Sequence, residues 1–155
     1  MISSTAVTAS LLPESPRLTA QLSKTNLTHD LVLASGALAV HLLPDDERGL
    51  ELFRTLGMRT GHEAPKLDDV SAVAGQTGSP ILQDAVAYAE ARVAATHDGE
   101  GSTIIVADVV AGARDRDRDG PVLTIESVRK RLPPEWAEEW ARRLEEELAA
   151  ARRQR

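Results

Sequence analysis

The sequence predicts an α+β fold whose centre is an antiparallel, barrel-like sheet. Three observations predict it. Two segments dense in Val, Ile and Ala, Ala85 to Ala95 and Thr103 to Val110, follow each other closely and read as long strands. An earlier segment, Arg17-Leu-Thr-Ala-Gln-Leu22, alternates polar and apolar as a half-buried strand does. The chain then closes on a strongly amphipathic helix that begins at Pro133-Pro134. At 155 residues without a separating linker, the expectation is one domain, 1–155.

The elements follow in order. Residues 2–10 are rich in small and β-branched types and are expected to form a strand, with Pro13 and Pro16 bracketing the turn after it. Residues 28–35 read as helix, Gly36 as its turn, and 37–43 as a strand. Asp45 or Asp46 caps a helix running to about Leu56, with Leu50, Phe53 and Leu56 on its buried stripe. Residues 60–80, carrying Gly61, Pro65, Gly75, Gly78 and Pro80, form a long loop, and loops of that length are usually functional. Residues 121–124 are expected to return as a strand. In the C-terminal helix, Trp136, Trp140, Leu144, Leu148 and Ala151 share one face. Acidic residues crowd its start and arginines its end, matching the helix dipole. That face packs on the chain's own sheet or clamps a partner subunit.

Composition removes several function classes. No apolar run approaches the roughly 18 residues of a membrane helix, and the N-terminus lacks a signal peptide's basic start and apolar run. The expected location is cytoplasmic. The absence of cysteine excludes disulfides, thiolate metal sites and cysteine nucleophiles. A formal charge of −6 gives no general attraction for nucleic acid. The four histidines show no metal-ligand spacing, and neither a Gly-x-Gly-x-x-Gly loop nor a serine elbow is present. Asp115-Arg-Asp-Arg-Asp-Gly120 with Glu126 imitates a calcium loop. However, its flanks read as strands, Pro121 sits inside it and three arginines interleave the carboxylates, so it is expected to be a solvated hairpin tip.

The stretch Ser23-Lys-Thr-Asn-Leu-Thr-His-Asp30 carries the main functional signal. It places hydroxyls, an amide and an ammonium at the start of a helix, with Thr28 as N-cap and Asp30 in the first turn. Free backbone N–H groups there favour an anion, so the loop suits a phosphate; a capped surface helix is the plainer alternative.

SKTNLTHDLVLASGALAVHLL, 23–43, resembles the corresponding segment of the flavin reductase-like proteins of the FMN-binding split-barrel superfamily. Further stretches follow in that family's order: Phe53 to Leu67, Pro80 to Val93, Asp98 to Val110, and Pro121 to Thr124. The resemblance implies a split barrel that binds FMN, or FAD, across a homodimer interface. It also implies NAD(P)H as hydride donor and, in some members, a flavin-dependent monooxygenase as partner. It places Ser3, Ser4, Thr5, Thr8 and Ala9 along the ring and ribityl chain, and Ser23, Lys24, Asn26 and Thr28 toward the phosphate. Lys66 matches a family lysine, and His62 stands where the family has an arginine suited to phosphate. Ser102 replaces a histidine that reductase members carry near the nicotinamide. The chain also starts where the family already has a strand behind it. Two functions therefore remain open: an NAD(P)H-dependent flavin reductase, and a flavin-binding electron-transfer protein or degenerate homologue without that activity.

Overall fold

Alternation along the first long strand sets the sheet. In β2 (Arg17–Ser23), Leu18, Ala20 and Leu22 are buried while the intervening residues are more open. The computed structural model describes residues 6–8, 12–58, 61–62 and 65–153; for 6–8, 147 and 151 it describes the backbone. Around β2 lies a five-stranded antiparallel sheet. It contains β1 (Ala6–Thr8), β2, β7 (Ser102–Arg114), β6 (Ala87–Asp98) and β3 (Ala37–Leu42), in that spatial order. β6 and β7 form the long hairpin. Register shifts at Glu90/Ala91 and Val93/Ala95 bulge its ladder, and bulges of this kind add twist and bend. The sheet curls into an antiparallel half-barrel, and with four helices the fold is α+β, as expected.

The inner face carries the larger core. Leu18, Ala20, Leu22, Leu38, Ala91, Ile105 and Ala107 pack with Val32 of α1 (Leu27–Ser35). Each fully buried aliphatic side chain contributes about 1.5–3 kcal/mol. α1 begins after Asn26, whose extended backbone occupies the N-cap position without a side-chain cap bond. The expected cap, Thr28, is instead the second helical residue. The chain turns one residue pair earlier because the Asn26 N–H is held by the Ser23 carbonyl. Gly36 ends the helix at φ +65, a left-handed position that glycine takes without penalty.

α2 (Glu47–Gly57) starts at Asp46, whose carboxylate accepts the Gly49 N–H at 2.9 Å. It buries Leu50, Leu52 and Phe53, whereas Leu56, expected on the buried stripe, is half-buried. The segment expected as one long loop contains β4 (Ala72–Ala74) and β5 (Pro80–Leu82), paired with each other. The expected return strand at 121–124 is reduced to a single bridge, Pro44 to Val122. A helix, α3 (Ile125–Arg131), follows directly. Thr124 caps it, and Ser127 and Arg131 bond to Asp45 of the α2 entrance.

α4 (Pro134–Arg152) docks through Trp136 and Trp140, on α2 and α3 rather than on the sheet. Phe53 meets Trp140 edge-to-face at 5.5 Å, and the Arg54 guanidinium lies 4.2 Å above Trp136. Leu144 and Leu148, further along the same face, are exposed. The Asp115–Gly120 segment is mostly exposed, as expected of a solvated tip, and its charges pair along it and with the body of the domain. Arg118 binds both Asp115 and Asp84, Asp84 also binds Arg48, and Asp119 binds Arg114. No helix among the described residues is long and apolar enough to cross a membrane.

Candidate functional site

β3, the edge strand of the sheet, floors the site, and β6 beside it anchors one wall. Leu38 and Val40 of β3, and Ala89, Ala91 and Val93 of β6, face the inner core. The period of two therefore turns Ala37, Ala39 and His41, with Tyr88, Glu90 and Arg92, to the other side. Along the β3 edge a cavity of about 540 Å³ opens, within the usual range of small-molecule sites, and Val32 and Leu38 of the inner core also reach it. Its floor is Ala37, Ala39 and His41. One wall is α1, through Thr28, Leu31 and Ser35; another is Gly61, Pro65, Lys66 and Leu67. The third is the turn Thr77-Gly78-Ser79 with Pro80 and Leu82 of β5. Leu31 and Leu67 stand exposed at the rim. A second cavity, of about 470 Å³, adjoins the first toward α2 and α3, sharing Thr28, Ala39 and His41 and reaching Phe53, Thr124 and Val128.

The third wall is latched to the sheet by two polar side chains. Glu90 is only 1% exposed, and its Oε2 accepts the Thr77 N–H at 2.8 Å and lies 2.9 Å from the Thr77 hydroxyl. These bonds, led by the Thr77 N–H and joined by the Gln76 N–H and the charge of Arg92, hold its carboxyl below the ordinary carboxylate value despite burial. A Cβ on Gly75 would collide with that carboxylate, so only glycine lets the turn close over it. His41 Nε2 accepts the Leu82 N–H at 3.2 Å. Burial lowers the His41 pKa to about 4, with Glu90 pulling weakly the other way, so the ring is neutral and free to accept.

The candidate residues divide. Thr28 and Lys66 come together on the cavity; Lys66 Nζ donates to the Leu56 carbonyl at 2.8 Å. Ser23 and Lys24 lie away from its lining. The Ser23 hydroxyl pairs with Thr25 at 2.8 Å, and the Lys24 ammonium meets Asp98 at 2.8 Å beside the β6–β7 turn. Asn26 sits at the α1 entrance, and His62 is exposed in the turn after Gly61. Thr8 ends β1 opposite Leu18, while Ser3, Ser4, Thr5 and Ala9 lie outside the described residues. Ser102 is bonded to Gln21 at 2.8 Å and does not line the cavity. His29 is buried and bridges Asp30 and the Thr103 hydroxyl, fixing α1 to β7. His41, Thr77, Ser79 and Glu90 are the site residues that sequence reasoning missed. A lone glutamate in the alanine-rich run Ala87-Tyr-Ala-Glu-Ala-Arg-Val93 was their one visible signal, and alternation alone assigns it to solvent.

The donor set suits a flavin. Small alanines give a flat apolar floor for a planar ring, while the hydroxyls of Thr28, Ser35, Thr77 and Ser79 and the Lys66 ammonium offer polar partners at its edges. Among the described residues no buried side-chain polar atom lacks a partner, and no cluster of His, Asp and Glu has the makings of a metal site.

An antiparallel half-barrel with a lined cavity along its β3 edge defines the class, a split-barrel fold. The family model "Flavin reductase like domain" matches residues 1–133, and the chain belongs to that family. FMN reductase (NADH) RutF 2 of Rhizobium rhizogenes is 36% identical over 107 residues. The match covers 68% of this chain and 57% of that protein, so the chain spans little more than half of this relative's length. The flavin reductase HpaC, solved with NADP+, is 27% identical with a TM-score of 0.65, covering 79% of this chain and 74% of its own. BorF, the flavin reductase component of a bacterial two-component tryptophan halogenase, is 21% identical with a TM-score of 0.59, covering 73% and 69%; that likeness concerns the fold.

Proposed function

We propose that this protein, a single flavin reductase-like domain over 1–155 with the 133–155 helix as its C-terminal part, binds FMN in the cavity between α1 and the 61–82 segment. There it reduces FMN with a nicotinamide nucleotide, and FAD is the alternative flavin. The observation that carries the reading is the meeting of Thr28 and Lys66, from two stretches far apart in sequence, on one apolar-floored cavity. Family membership and the NADH-dependent relative support it. Bound flavin supplies the hydride-accepting ring, and the protein supplies binding, orientation and electrostatics. Ala37 and Ala39 give the ring an apolar seat, Leu31 and Leu67 shield it from water, and Lys66 brings positive charge to the anionic side. Ser3, Ser4, Thr5, Thr8 and Ala9 are assigned to the ring and ribityl side. Ser23, Lys24, Asn26 and His62 are assigned to the phosphate side, where Lys24 would exchange Asp98 for the ligand.

A homodimer completes the proposal. Exposed Ile104 and Val110 on β7 offer apolar surface for a second copy. Reduced flavin is a diffusible product, and a flavin-dependent monooxygenase is the class of enzyme that consumes it. The cytoplasm is where the nicotinamide donor is available. A second reading, a flavin-binding electron-transfer protein without NAD(P)H activity, draws on Ser102, which is engaged by Gln21 away from the cavity.

The test is a titration of FMN followed by NADH consumption. Saturable quenching of flavin fluorescence, FMN-dependent NADH oxidation and a dimer by light scattering are expected. Flavin binding without NADH oxidation favours the second reading, and absence of flavin binding overturns both.

A further inference from the structure

The Thr77 hydroxyl lies 2.9 Å from Glu90 Oε2 and 2.9 Å from the Ser79 hydroxyl, yet it has one proton to give. An ionised carboxylate only accepts, and Glu90 is held in that form by the N–H groups of the turn. The Thr77 proton therefore goes to Glu90, and the proton between Thr77 and Ser79 must come from Ser79. The Ser79 N–H, 3.3 Å from the Thr77 oxygen, points the same way, since it too needs an acceptor there. Ser79 thus has its proton turned inward. Its oxygen keeps two lone pairs, and among the described residues no other donor reaches them. Ser79 lines the cavity.

We infer that Ser79 presents a hydrogen-bond acceptor to the cavity, that Glu90 is the positioning residue that fixes this polarity through Thr77, and that this wall selects a ligand N–H donor. The inference rests on the flavin-reductase reading for the identity of the ligand. Two groups of that chemistry are available: the imide N–H of the flavin ring and the carboxamide N–H of the nicotinamide. Buried acceptors discriminate strongly, because a ligand without the donor leaves the acceptor desolvated and unpaired.

The test compares affinity ratios, which a merely structural role of the latch would leave unchanged. One arm measures dissociation constants for FMN and for FMN methylated at its imide nitrogen. The other measures KM for NADH and for its reduced nicotinic acid analogue, whose carboxylate has no N–H. In the wild type, one arm is expected to favour the N–H ligand by about tenfold, the equivalent of one well-made hydrogen bond, and that arm identifies the donor. Thr77→Val keeps the shape of the turn but frees the Ser79 proton, so the ratio should fall toward one; Thr77→Ser should retain it. Ser79→Ala removes the acceptor and leaves the Thr77–Glu90 latch in place, giving the same fall if Thr77→Val does not fold. Ratios that stay unchanged in both Thr77→Val and Ser79→Ala overturn the inference while leaving flavin reduction standing. A wild type that neither binds FMN nor oxidises NADH overturns the function, and this inference with it.

Discussion

The two faces of the β3–β6 pair are held by different physics. On the inner face, Leu38 and Ala91, with Ile105 of the neighbouring β7, are buried chiefly among aliphatic neighbours. On the outer face, the covering segment is fixed at two points, Thr77 to the buried Glu90 and Leu82 to the half-buried His41, each a hydrogen bond from a backbone N–H to a side chain. Apolar burial scales with area and tolerates small shifts. A directional bond to a charge holds a wall in one place, which a binding site requires. β3 and β6 therefore take part in both, the aliphatic core on one side and the fixed wall on the other.

The comparison breaks most severely from the inside. Ile105 is fully buried, and Ile105→Ala should cost about 2–5 kcal/mol through lost transfer energy and a residual cavity. Denaturant melts would record a lower midpoint, and a loss below 1 kcal/mol would mean that the inner face is loosely packed.

The outer face should break with acid instead. His41 has its folded pKa at about 4, below the ordinary 6.5, so the unfolded chain binds more protons between those values. Stability is then complete above about pH 6.5 and falls as pH drops to about 4, on the order of 3 kcal/mol in all. Glu90, also held below its ordinary value, adds a loss in the same direction at more acid pH. His41→Gln keeps an oxygen that can accept the Leu82 N–H and should flatten the first part of the decline. An unchanged pH profile in that variant would remove His41 from the latch.

The smallest effect belongs to an exposed contact on the outer side. Arg17 and Asp108 pair at 2.6 Å across β2 and β7, but both are about half exposed. Asp108→Asn should cost no more than about 1 kcal/mol, and less in high salt. A larger cost would place that part of the face in a protected environment, as a second protomer would.

Legibility followed the same division. The elements with one buried face were readable: β2 from its alternation, α2 from the Asp46 cap, and α4 from its tryptophan spacing. The return strand at 121–124 was misread because Pro121-Val-Leu-Thr-Ile125 carries β-formers. A helix forms just beyond it because Thr124 caps Ser127, Val128 is buried, and Asp45 takes both Ser127 and Arg131. Those partners lie some eighty residues away, beyond any local propensity. The family resemblance places Lys24 toward the phosphate; its pairing with Asp98, which the β6–β7 hairpin brings beside it, has no local signal in the sequence.

By itself the sequence determined the family, the antiparallel elements and the two lysines worth testing, because motif order and period are local properties of the chain. Only the tertiary structure decided that Lys66 reaches the cavity while Lys24 pairs with Asp98, and that Glu90 is buried and His41 half-buried rather than solvated. Alternation reports that a strand has two unlike faces. What covers the second face depends on where a distant segment comes to rest, and here that is the Gly75–Leu82 turn and strand closing over a carboxylate.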